Sequence, residues 1–354
     1  MSAGTILLTG TRAPATLDLA RRLRRDGFRV VGADSMQFPL GRFSGAFASH
    51  HRVPPPRFRP SDCIAALLGI ARKEKATLLW PTCEEIFHLA AFHEEIATVV
   101  RPFFNSLEAL EPLHDKLAFA RIAGSMAPAS WLAEEAPGEG RLVWKPRFSR
   151  FGVHTRFAHP PEDKSGWMAQ EWVEGEEFSS WALCLDGETR TLTFYQCPVR
   201  AGRAGCSFAP HWDEEAAAFI AAFAEERNFT GSLAFDFIRG EETGLRVIEC
   251  NPRLTSGIHV LGPEVSLAGL FARSSSLPPP MRPSLLRLPT LFSAPRKAWQ
   301  SQDVVVTPDD LGPGWGQLVG FAELAFRSLR HGVSLAAAST LDIEYNGTPG
   351  PHDD

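Results

Sequence analysis

Gly231-Ser-Leu-Ala-Phe-Asp236-Phe-Ile238 and Val247-Ile-Glu249-Cys-Asn251-Pro-Arg253 are two apolar runs punctuated by acids and joined by the turn sequence Gly240-Glu-Glu-Thr-Gly244. Successive side chains on a strand alternate faces, so Glu249 and Asn251 share one face. A turn over 241–244 sets position 236 directly opposite 249 on an antiparallel partner. Two carboxylates so placed repel each other unless a cation sits between them. The oxygens of Asp236, Glu249 and Asn251 are hard ligands that suit Mg²⁺, an ion that commonly bridges substrate phosphates. Pro252 ends the strand and leaves Arg253 as a fixed cation beside the same face. A plain solvated acidic face is the alternative, and the Asn-Pro-Arg ending speaks against it.

The next informative feature is the scarcity of lysine. Of 36 Lys plus Arg only six are lysine, and Tyr is equally scarce at 2 against 25 Phe, so the skew reads as codon bias. In such a chain a lysine near a chemical motif deserves weight. Lys116 lies in Asp115-Lys-Leu117 and Lys145 in Val143-Trp-Lys-Pro146. A compact ammonium on a long stem reaches phosphates as a point charge.

The two runs together with the lysines resemble the ATP-grasp superfamily over roughly 110–275. The resemblance rests on Glu249-Cys-Asn251-Pro-Arg253-Leu-Thr-Ser-Gly257-Ile-His259 and the upstream Gly231–Phe237. It implies that Asp236, Glu249 and Asn251 hold Mg²⁺, with Mn²⁺ as a substitute, against the phosphates of ATP. It implies that Arg253 and Lys145 act on the phosphate or acyl phosphate, and that Lys116 and Lys145 bind ATP. Ala169-Gln-Glu171-Trp172-Val173-Glu-Gly175-Glu-Glu177 is similar to the family's hinge. There the backbone of Glu171, Trp172 and Val173 would meet the adenine edge and Glu177 the ribose, with Gly175 permitting a tight turn. The loop after Lys145 departs from the glycine-rich pattern: Pro146-Arg-Phe-Ser149-Arg150-Phe-Gly152 holds one glycine. Arg147, Ser149 and Arg150 would supply what the missing glycines do not. By the same resemblance Arg200, Arg203 and His259 are candidate substrate ligands, Arg200 or Arg203 for a carboxylate and His259 for the acceptor pocket.

The rest of the chain frames this region. Thr5–Thr9, the stretch from Pro14 to Arg25 and Arg29–Ala33 read as a βαβ opening. Residues 1–105 are expected to be a parallel α/β domain like the one that commonly precedes ATP-grasp. The expected fold is thus α/β plus α+β: that domain, a two-subdomain ATP-grasp fold at 106–275, and a Pro-rich linker and C-terminal extension at 276–354. A helix is expected to hold His114-Asp115-Lys116-Leu117, strands at 142–145, 154–157, 168–173, 178–186 and 189–198, and a helical pattern near 316–331. Gly10-Thr-Arg-Ala-Pro-Ala lacks the second and third glycines of a dinucleotide fingerprint, so Asp34 is not read as a ribose ligand. Glu84 and Glu85 start a helix after a strand end; the cleft side of a parallel sheet is one account of them and the helix dipole the simpler one.

A net charge of −5 offers no basic field for nucleic acid, and Arg21-Arg-Leu-Arg-Arg25 reads as a solvated helix face. No apolar run is long enough to span a membrane, and no signal peptide is apparent. The six cysteines lack CxxC spacing, which argues for a reduced, cytoplasmic protein without structural zinc. The expectation is an ATP-dependent carboxylate–amine ligase that takes small carboxylates and amines, amino acids among them, and leaves room for a homo-oligomer. An ATP-binding pseudo-ligase module, or a phosphotransferase or ligase with a hydroxyl or thiol acceptor, stands as the alternative.

Overall fold

The computed structural model describes residues 3–149, 155–157, 159–272 and 274–347. The N-terminal part runs β1 (Ala3–Leu8), α1 (Pro14–Arg25), β2 (Phe28–Asp34), β3 (Ser49–Arg52), α2 (Pro60–Glu74), β4 (Ala76–Trp80), α3 (Glu85–Ala90), α4 (His93–Ala97) and β5 (Arg101–Pro102). Its five strands pair in parallel in the order β3-β2-β1-β4-β5. The βαβ expectation therefore holds. Asp34 is taken up by Arg12, whose Nη2 lies 2.6 Å from it.

Then come α5 (Leu107–His114), α6 (Lys116–Ala123), β6 (Ser130–Leu132), β7 (Leu142–Pro146) and β8 (Trp167–Glu171). The single helix expected across 114–117 is broken at Asp115. This residue leaves helical geometry, and its side chain accepts from the Leu117 and Ala118 amides, an N-cap that starts α6 at Lys116. Strands β6, β8 and β7 form a small antiparallel sheet. The expected strand at 154–157 is reduced to one bridge, Arg156 to Trp144, while His154, Arg150 and Gly152 lie outside the described residues.

The larger sheet is built from β9 (Glu176–Leu185), β10 (Glu188–Ala201), β11 (Ala204–His211), β12 (Gly231–Gly240) and β13 (Gly244–Asn251), with α7 (Glu214–Glu226) packed on it. Asp186 and Gly187 both take positive φ at the β9–β10 turn, as an Asp-Gly hairpin should. After the short α8 (Leu267–Leu270), β14 (Ser284–Leu285), α9 (Arg287–Ser293) and β15 (Gln302–Asp303), the chain ends in α10 (Gly312–His331) and α11 (Leu335–Ala338). The sheet order is β13-β12-β9-β10-β11-β14-β15, so part of the C-terminal extension completes this sheet. One continuous apolar core joins Leu7 and Phe87 of the N-terminal part to Phe119, Phe235 and Val247. The boundary near 105 separates sheets, not cores.

Candidate active site

The β12–β13 hairpin sets the site. Asp236 pairs directly with Glu249, as the alternation argument required. The route differs from the expected one. Gly240 pairs with Gly244, one residue tighter than a turn over 241–244, and a register shift between 236 and 237 restores the alignment. Such a bulge places an extra residue in one strand. Here it lets Val247 and Cys250 both enter the core while Glu249 stays on the outer face.

On that face Asp236 Oδ1 accepts from Ser179 Oγ at 2.5 Å. The Asn251 amide donates to Asp236 at 3.4 Å and to Glu249 at 3.3 Å. Arg253 Nη2 donates to Asn251 Oδ1 at 3.0 Å and lies 3.9 Å from Glu84 Oε1. Lys116 Nζ is 3.5 Å from Glu249 Oε2 and donates to the Ser149 carbonyl at 2.7 Å. Lys145 Nζ donates to Gln170 Oε1 at 2.8 Å. Both lysines are buried, which lysine tolerates only when paired. Asp115 caps α6 and also binds Arg147, which ties the helix carrying Lys116 to the start of the loop after Lys145.

Electrostatics follow the geometry. Burial, then the facing Glu249, push the Asp236 carboxyl up. Burial pushes Glu249 up too, but Lys116 and Lys145 outweigh it and hold Glu249 down. Burial lowers the Lys145 ammonium to about 8, against the pull of Glu249 and with repulsion from Lys116. Two half-buried acids that cannot both ionise cheaply are hard oxygen donors that fit a divalent cation, while Asn251 turns its NH2 to them and its oxygen to Arg253. The residues therefore suit Mg²⁺.

The residues that resemble the hinge form a separate strip. Glu171 donates its N–H to the Ala129 carbonyl and Trp172 to that of Arg141. Those two amides are committed within the chain. Arg141 stacks on the Trp172 ring at 5.0 Å. Gly175 owes its place to close approach: a Cβ there would lie 2.3 Å from the Arg239 carbonyl oxygen. Glu177 and Arg200, read separately for ribose and substrate, bind each other at 2.8 Å on the exposed rim. Arg203 donates to the Thr155 carbonyl at 3.2 Å and covers Phe157. His259 is buried with Nδ1 3.0 Å from Asp18 of α1 and its ring against Phe208, contacts that tie the sheet to the N-terminal part.

Residues 114–257 match the family model described as an ATP-grasp domain. The chain carries an ATP-grasp domain. Among solved structures, N5-carboxyaminoimidazole synthetase from Staphylococcus aureus complexed with ADP is similar at a TM-score of 0.61 and 14% identity, covering 90% of this chain and 96% of that one. The biotin carboxylase–beta-gamma-ATP complex from Campylobacter jejuni gives 0.58 and 17%, covering 77% and 72%. L-amino acid ligase from Bacillus licheniformis gives 0.54 and 13%, covering 73% and 68%. These likenesses concern the ATP-grasp fold. No curated protein matches the sequence.

Glu84, given a helix-dipole role from sequence, faces the ATP-grasp site. Its Oε2 accepts the Tyr345 N–H at 3.3 Å and its Oε1 is the carboxylate oxygen beside Arg253. Glu85 pins the turn before its helix, accepting from Thr82 and Cys83 amides and from Thr9 Oγ1. Sequence reasoning missed Ser179, and the resemblance of Thr340–Gly347 to the ending of some bacterial ATP-grasp ligases gave that segment no role. That segment lies across the C-terminal ends of β1, β2 and β4: Asp342 binds Arg12 at 2.7 Å, and Tyr345 stacks on Phe87 at 5.2 Å. His114 reaches the Tyr345 carbonyl at 3.2 Å, and Phe148 of the loop after Lys145 packs edge-on at 6.3 Å.

Proposed function

We propose that this protein is an ATP-dependent carboxylate–amine ligase that releases ADP and phosphate. The observation that carries the proposal is the facing, half-buried Asp236–Glu249 pair with Asn251 and two buried lysines at one site. Asp236, Glu249 and Asn251 would hold Mg²⁺, which neutralises phosphate charge when bound. Lys116 and Lys145 contact the phosphates as point charges. Arg253, fixed by Asn251, stabilises the charge that develops on the transferred phosphoryl group, so the catalysis is mainly positioning and electrostatics. Burial weakens the hold of Lys145 on its proton, and an anionic phosphate would strengthen it.

In this reading a substrate carboxylate oxygen attacks the γ-phosphorus and the bond to the β-bridging oxygen breaks, releasing ADP. An amine then attacks the acyl carbon, phosphate leaves, and the amine loses a proton to give an amide. Glu177 would accept from ribose once Arg200 releases it, and the Val173 N–H would meet the adenine edge. The segment around Tyr345 walls the strand-end crevice, where open α/β sheets usually take ligands. Glu84 and Arg253 then bound what remains for the acceptor.

The test is phosphate release from Mg-ATP across a matrix of small carboxylic acids and amines, with mass spectrometry of the products. Release that requires both partners, with a product one water lighter than their sum, is the expected result. ADP formation that needs a hydroxyl or thiol in place of the amine would move the protein to another acceptor class. Nucleotide binding without turnover on any pair would make it a binding module.

A further inference from the structure

Helix α10 (Gly312–His331) is inverted relative to an ordinary surface helix. Its small residues face inward: a Cβ on Gly312 would lie 2.0 Å from the Phe43 carbonyl oxygen, and one on Gly316 2.7 Å from the Phe43 ring. Its charged residues are also turned in, since Glu323 accepts from the Gln37 and Phe38 amides and Arg327 pairs with Asp342 at 2.8 Å. Outward it presents Leu311 at 63% exposure, Trp315 at 73%, Phe326 at 64% and Leu329 at 84%, with Leu318, Val319 and Phe321 between them. Scattered apolar residues are normal on a surface; a contiguous stripe of this size marks an interaction site.

We infer that this face is a two-fold interface with a second copy of the chain, formed by antiparallel pairing of α10 with its equivalent. The spacing supports that occupant. Positions 311, 315, 318, 322, 326 and 329 form a near-palindrome about residue 320. A two-fold contact is self-complementary, so residue i meets j while j meets i. Antiparallel pairing about 320 sets Leu311 against Leu329, Trp315 against Phe326, and the large Leu318 against the small Ala322. The stripe runs roughly 27 Å at about 1.5 Å per residue. Its seven large side chains expose on the order of 700–800 Å², taking roughly 150–250 Å² for an aromatic ring. That matches the approximately 800 Å² per partner of a stable pair. A lipid surface would call for basic residues along the rim of the stripe. Between Leu311 and Leu329 the one basic residue, Arg327, is bound to Asp342.

The test is sedimentation of the full chain, wild type against Leu329→Glu and Phe326→Glu, with thermal midpoints as a check on folding. The wild type is expected at about twice 38.9 kDa, and each variant at 38.9 kDa with the midpoint held within a few degrees. A Leu318→Cys/Ala322→Cys double variant is expected to give an oxidised dimer band that neither single variant gives. A monomeric wild type, whether or not it floats with phosphatidylcholine vesicles, would overturn the inference. So would a dimer indifferent to both glutamates, or one that forms no crosslink between 318 and 322.

Discussion

The β12–β13 hairpin and the segment Ser339–Gly347 each gather buried charge, yet the two clusters are balanced differently. On the hairpin Asp236 and Glu249 face each other, with Lys116 beside only one of them. In the tail Arg12 and Arg327 meet Asp34 and Asp342. Burial works against Asp342, but the two arginines hold its carboxyl far below the usual range. The hairpin keeps an electrostatic demand that a cation would satisfy. The tail satisfies its own charges and so acts as a lock. Buried charge marks a site where it is unbalanced and a joint where it is complete.

Substitutions can break that contrast. Glu249→Gln removes the ionised half of the carboxylate pair and is expected to cut ATP-dependent phosphate release by roughly 10⁴-fold or more. Its thermal midpoint should stay within a few degrees, because relief of the repulsion with Asp236 offsets the lost Lys116 partner. Normal release would remove the hairpin from the mechanism. Arg12→Ala leaves Asp34 and Asp342 buried without their shared cation, and should cost about 3–5 kcal/mol in urea unfolding. A loss under 1 kcal/mol would mean the tail is not locked.

A third, smaller effect reports on the joint between α1 and the large sheet. Burial opposes ionisation of Asp18, but Arg22 and His259 pull its pKa down to about 2. A carboxyl depressed in the folded state stabilises above its unfolded pKa of about 4. That contribution, on the order of 2 kcal/mol, is lost as pH falls from about 4 to about 2. Asp18→Asn should flatten this part of the acid limb of the stability curve; an unchanged limb would assign it to other groups. The smallest effect is Tyr345→Phe, which keeps the stack on Phe87 and removes the hydroxyl bonded to Glu111 at 2.5 Å. It should cost about 1 kcal/mol of stability, read by urea unfolding.

The same contrast explains what could be read from the chain. Asp236, Glu249, Asn251 and Arg253 lie on one hairpin, so strand alternation and one turn were enough to bring them together. The bulge behind their register was not visible, because it follows from Val247 and Cys250 both being drawn into the core. The Asp115 break was hidden by the continuous helical pattern around it. Arg12, Asp34 and Asp342 meet only through the tertiary fold, and nothing local in any of them announces the others. Arg200 and Glu177 were each read for a ligand and found each other, because neither motif states what the opposite strand carries.

The central claim is that this hairpin and its lysines grip a magnesium nucleotide. Calorimetric titration of the wild type with ADP, in Mg²⁺ and in chelator, tests it directly, with Glu249→Gln as the control. One site per chain is expected, with affinity that drops at least tenfold when Mg²⁺ is removed and a variant that has lost this Mg²⁺ dependence. Binding equally tight with and without Mg²⁺, in both proteins, would contradict the account.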